Sequence, residues 1–148
     1  MQMKKTLTYL TLLLSSVSFF ACEKNCEEPK PLLYTVEGYW EGTYTSDQSP
    51  EEGENPMSIV FKPDGTILFD GTTPVIGRII HDGYWTRHGD TVETTADFWV
   101  EYFKTTVHQT HTYIFDEKKG TLIGTWDNHS VPAGTGKTNL KKIPNMTN

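Results

Sequence analysis

The sequence predicts an all-β domain over residues 36–148, an antiparallel up-and-down meander barrel of about 8–10 short strands. Three observations predict it. From Val36 onward apolar residues alternate with polar ones at a period of two. Turn residues interrupt that alternation at short intervals, and no stretch after residue 22 keeps a helical period for three turns.

The elements follow in order. Val36, Trp40 and Tyr44 share one face of a first strand, with Gly38 and Gly42 between them and Glu37, Glu41 and Thr43 turned the other way. Residues 45–56, "TSDQSPEEGENP", are polar and acidic, which predicts a floppy connection rather than a lid. Met57, Ile59 and Phe61 then alternate with Ser58 and Lys62. "KPDGT" at 62–66 makes a hairpin turn, because Pro63 fixes φ and Asp64-Gly65 tolerate positive φ. Ile67 and Phe69 continue beyond it, and further strands are expected at 75–81, 83–88, 91–96, 98–107, 109–116, 121–127 and 136–143. Glycine and tryptophan recur together in "EGYW", "DGYW" and "IGTW", but the intervening text is dissimilar, so bends around packed rings explain them better than a repeat.

Ahead of this domain, residues 1–21 read as a signal peptide, with Lys4-Lys5 followed by an apolar run from Leu7 to Ala21. A run of about 15 residues is short of the roughly 20 that span a bilayer. Ala21-Cys22 resembles the lipobox of bacterial lipoproteins, with Phe19 where leucine or valine is usual. That resemblance implies a lipidated, palmitate-bearing Cys22, a membrane partner through the lipid, and an envelope location at the outer membrane. Residues 22–35 then form a charged, proline-bearing tether. Cys26 has no pairing partner once Cys22 is acylated and reads as a free thiol.

Without the signal, about 126 residues remain, enough for one domain with a core. Lys4 and Lys5 leave with it, so the balance falls from −6 to −8, 11 basic residues against 19 acidic. An acidic chain without a basic stripe argues against nucleic acid as a partner.

"AGTGKT" at 133–138 ends like a phosphate-binding loop, but Val131 stands where that motif needs glycine and no helix follows. Residues 136–143 read as a last strand, so nucleotide is excluded. Of five histidines, His108 and His111 fall on opposite strand faces, as do His81 and His88, which leaves no shared-face metal set. No nucleophile elbow is present, and Glu93, Asp97 and Glu101 read as solvated carboxylates. The expectation is a non-enzyme without cofactor.

"VEGYWEGTY", "FKPDGT", "GYWTRHGDTV", "TYIFDEKKGTLIGTW" and "TNLKK" together resemble the lipocalin-like (calycin-type) domains of bacterial lipoproteins. The resemblance implies that Gly38 and Trp40 close one barrel end and that Lys141 or Lys142 covers the tryptophan. It implies a barrel open at the other end, and it names no ligand.

The aromatic load points the same way: 4 Trp, 7 Tyr and 7 Phe in a small chain. Phe98 to Phe103 carries rings on both faces of what reads as one strand. Candidate ligand contacts are therefore Trp99, Glu101, Phe103, Tyr84, Trp85 and Tyr113, with Trp99 the foremost. The expected function is non-catalytic binding of a small, partly apolar molecule at the barrel mouth. A surface accessory role toward glycans or proteins is the alternative, and a small envelope enzyme is a third.

Overall fold

A computed structural model describes residues 33–130 and 133–144. The signal segment, Cys22 and Cys26 lie outside the described residues. Eight strands close a barrel in sequence order: β1 (Gly38–Tyr44), β2 (Asn55–Phe61), β3 (Thr66–Thr73), β4 (Gly77–His88), β5 (Thr91–Val100), β6 (Thr105–Asp116), β7 (Thr121–Asn128) and β8 (Gly134–Lys142). Every neighbouring pair is antiparallel, and β1 closes on β8 with Trp40 opposite Lys142 and Tyr44 opposite Thr138. This is the predicted meander barrel.

Alternation does the sorting. On β2, Met57, Ile59 and Phe61 point inward and are buried, and on β6 Val107, His111, Tyr113 and Phe115 do the same. An eight-stranded barrel is just wide enough for such side chains to fill its interior or to enclose one small ligand. The hairpin between β2 and β3 forms as its sequence dictates. Lys62 N–H donates to Thr66 O at 2.9 Å, and Asp64 Oδ1 accepts from the Thr66 amide and hydroxyl.

One end of the barrel is plugged by rings. Trp40 is fully buried, edge-on to Phe61 at 6.4 Å and to Phe115 at 5.9 Å between centroids. Its Nε1–H donates to Val36 O at 2.7 Å, so the entering chain is tied to the plug. Lys142 Nζ lies 5.1 Å from the Trp40 ring centroid and donates to the carbonyls of Thr35 and Glu37. Burial holds the Lys142 ammonium below its ordinary pKa. Gly38 sits beside this lysine, since a Cβ there would meet Nζ at 2.8 Å. A Cβ on Gly42 would come 1.9 Å from the carbonyl oxygen of Asn139, so only glycine lets β1 and β8 approach this closely.

Several boundaries differ from the sequence expectation. Residues 77–88 form one strand, not two separated near 82. The strand expected over 98–107 does not exist: β5 runs on to Val100, and a tight turn occupies residues 101–104. There Phe103 N–H donates to Val100 O and Lys104 takes a φ of 51°. The acidic connection after β1 is pinned along its first part. Thr45 and Asp47 donate their amides to Lys137 and Thr135 carbonyls, and Thr135 Oγ1 donates to Asp47 Oδ2 at 2.8 Å. Tyr34, within the segment read as tether, packs on the core and donates its amide to Glu117 O at 2.8 Å.

Candidate functional site

The end opposite Trp40 holds a cavity of about 110 Å³. Met57, Phe69, Ile79, Phe98, Val107 and Trp126 form its apolar wall, and Tyr44, Ile76 and Phe103 stand among its other lining residues. A dry apolar cavity of about 150 Å³ accepts a benzene molecule, so this smaller space takes at most one ring-sized group and not a long acyl chain. The surroundings are built as firmly as a core. Trp126 is buried, donates Nε1–H to Thr45 O at 2.8 Å, and meets Tyr44 edge-on at 6.2 Å.

Two features give the interior its chemistry. The first is a three-ring stack. His81 lies parallel to Phe69, centroids 4.5 Å apart, and parallel to Phe98 at 4.1 Å with only 2° between planes. His81 Nδ1 faces the Asp82 carbonyl at 3.3 Å, while Nε2 is buried with no partner among the described residues. Burial lowers the His81 pKa to about 4. The second is a polar chain on the inner faces of β6 and β7. Tyr113 Oη lies 2.8 Å from His111 Nδ1, His111 Nε2 lies 3.0 Å from Gln109 Oε1, and Gln109 Nε2 donates to Asn128 Oδ1 at 2.9 Å. Burial lowers the His111 pKa to about 3 and raises that of Tyr113, so imidazole and phenol both stay neutral. Gln109, His111 and Asn128 line the cavity, and no charged side chain does so among the described residues.

The residues singled out from sequence scatter around this cavity. Phe103 lines it, from the 101–104 turn. Tyr113 is fully buried behind it and reaches it only through His111. Trp85 packs toward the plugged end, edge-on to Phe61 at 5.6 Å, with Nε1–H donating to Lys62 O at 2.9 Å. Tyr84 and Trp99 are on the outer surface, 67% and 57% exposed. Trp99 donates Nε1–H to Glu101 Oε2 at 2.9 Å, beside Ile80 and Tyr102 in a shallow external groove. That groove lies where β4 and β5 have parted, since their pairing covers only residues 84–88 with 91–95.

The other singled-out groups also find places. Asp97 pairs with His108 across 2.7 Å on the outside. Lys137, from the phosphate-loop look-alike, is exposed within β8. Sequence spacing did not single out His81, His111, Gln109 or Asn128. The signal that finds them is the strand phase set by their neighbours, with Tyr113 and Phe115 fixing the inward face of β6.

No family model matches this sequence, and no curated protein matches it either. Fold and cavity together define a class: a small eight-stranded meander barrel, plugged at one end and compatible with ligand binding at the other.

Proposed function

We propose that the protein is a lipocalin-like binding barrel that takes up one small, partly apolar molecule without transforming it. The observation that carries this reading is the cavity itself, apolar-walled and placed at the end away from the Trp40 plug. Its inward polar groups are one neutral imidazole, two amides and two hydroxyls, which suit recognition better than acid–base chemistry.

The test is a melting curve of the full chain with benzene. A ligand that binds only the folded state, at ten times its Kd, adds about 1.4 kcal/mol. That is a rise of several degrees for a domain of this size. Val107→Phe fills the cavity wall from β6 and should abolish the rise while leaving the protein folded. An equal rise in that variant would place benzene elsewhere and remove the basis of the reading.

The outer-surface groove supports a second reading, contact with a glycan or another protein, because Ile80, Trp99 and Tyr102 leave apolar surface exposed together. We further propose that the chain is exported and anchored to the outer membrane through acyl groups on Cys22, each buried CH₂ being worth about 0.8 kcal/mol. Cys22→Ser should abolish labelling by radioactive palmitate and release the protein from the membrane fraction. Labelling that survives the substitution would refute the anchor.

A further inference from the structure

We infer that the molecule bound in the cavity carries a neutral hydrogen-bond acceptor of the carbonyl class, received by the side-chain amides of Asn128 and Gln109. This rests on the cavity being the binding site and names the chemistry that it selects.

The polar chain starts at its buried end. The Tyr113 phenol is enclosed and keeps its proton, and we assign that proton to His111 Nδ1, 2.8 Å away, as the first step of the inference. His111 then carries its own proton on Nε2 and donates it to Gln109 Oε1 at 3.0 Å. With its oxygen committed there, Gln109 must present nitrogen to Asn128, and does so at 2.9 Å to Oδ1. Gln109 and Asn128 are register partners on β6 and β7, so the backbone holds the two amides together. Each acceptor in the chain is thereby met by a donor. What remains unspent is N–H: the second hydrogen of Gln109 Nε2 and both hydrogens of Asn128 Nδ2, which have no acceptor among the described residues. Both side chains line the cavity.

The unspent hydrogens on Gln109 Nε2 and Asn128 Nδ2 have no protein acceptor among the described residues, so they favour a ligand that brings one. Charge then narrows the class. No cationic side chain lines the cavity among the described residues, and the chain has a net charge of −6, so a carboxylate would be desolvated without a counter-ion. A ketone, ester, lactone or amide carbonyl on a small apolar body meets both conditions. An alcohol of the same shape could offer its oxygen, but its hydroxyl hydrogen would have to share an amide oxygen or the Thr73 hydroxyl that is already engaged.

The experiment compares cyclohexanone with methylenecyclohexane, which replaces C=O by C=CH₂ at nearly constant shape, in the full chain and in Asn128→Leu. The ketone should lose at least about tenfold in affinity on substitution, while the hydrocarbon changes by less than about twofold. In the unsubstituted protein, ¹⁵N spectra should find the His111 proton on Nε2, a readout that does not depend on the variant folding. Equal losses for both ligands, a His111 proton on Nδ1, or tighter binding of cyclohexanol or cyclohexanecarboxylate than of cyclohexanone would overturn the acceptor inference and leave the binding barrel standing. If neither ring binds the unsubstituted chain, the cavity reading itself fails, and this inference with it.

Discussion

Trp40→Ala is expected to lower the free energy of unfolding by about 3–5 kcal/mol, the range for emptying a large buried ring. Trp40 has no exposed surface, touches Phe61 and Phe115 edge-on, ties Val36 through its indole N–H and supports Lys142 on its face. Its removal opens a cavity where β1, β2, β6 and β8 meet and leaves a half-buried ammonium without its ring. Against a total of about 5–15 kcal/mol, that loss approaches global unfolding. Trp99→Ala is the comparison, because its ring is 57% exposed on the outer surface. It should cost about 0.5 kcal/mol or less, as surface substitutions usually do. Urea denaturation of the two variants decides the matter. Similar costs for both would mean that the Trp40 end is not the structural plug.

Acid should unfold this protein over a window set by two interior histidines. Burial lowers the His81 pKa to about 4 and the His111 pKa to about 3, against an ordinary value of 6.5 in the unfolded chain. A folded state that resists protonation loses stability as the pH falls below the unfolded value. The contribution is therefore complete above pH 6.5 and declines steadily down to the folded pKa values. Lowering a pKa tenfold in acidity constant corresponds to about 1.4 kcal/mol, so each histidine removes on the order of 3 kcal/mol between pH 6.5 and 4. The groups packed on His81 are Phe69 and Phe98, burial outweighing the opposite pull of the Asp82 charge, and those bonded to His111 are Gln109 and Tyr113, with charge on His81 lowering the His111 pKa further. Asp64, Asp70 and Asp116 have carboxyls held below the ordinary range by hydrogen bonds to Thr66, Arg78 and Lys119, so most of their effect falls below the interval from pH 6.5 to 4. His81→Phe keeps a ring between Phe69 and Phe98 and should roughly halve the slope of stability against pH from 6.5 to 4. An unchanged slope would show that His81 is not the group resisting protonation.

Much of the barrel was legible because period-two alternation and turn chemistry act locally. Trp40 and Val36 fall inward, the Asp64-Gly65 hairpin turns where expected, and Leu140 and Lys142 lie on one face of β8. The errors have local causes too. Glu101-Tyr102-Phe103-Lys104 contains no glycine, proline, asparagine or aspartate, so nothing in it announces a turn. Misreading it as strand put Trp99 and Phe103 in one element, when one faces outward and the other reaches the cavity. The break expected near 82 falls beside Gly83, yet that glycine lies within β4. A Cβ there would meet the Thr95 carbonyl oxygen at 2.5 Å, so it is glycine for close approach and not for a turn.

The cavity chemistry was hidden for a different reason. His81 and His111 are far apart in sequence, and only closure of the barrel places both against Phe69, at 4.5 and 5.9 Å. Spacing along one strand tests whether two histidines share that strand's face. It does not test whether residues from β3, β4 and β6 converge inside.

The measurement that bears most directly on the binding barrel is the position of a bound apolar probe, read by ¹³C-methyl spectra of the full chain during a benzene titration. The Met57 and Val107 methyls, which line the cavity and not the external groove, should move saturably, with the outward Ile80, Ile114 and Ile123 methyls unmoved. Movement confined to Ile80, beside Trp99 and Tyr102 in the external groove, would contradict the binding barrel and place the binding surface on its outside.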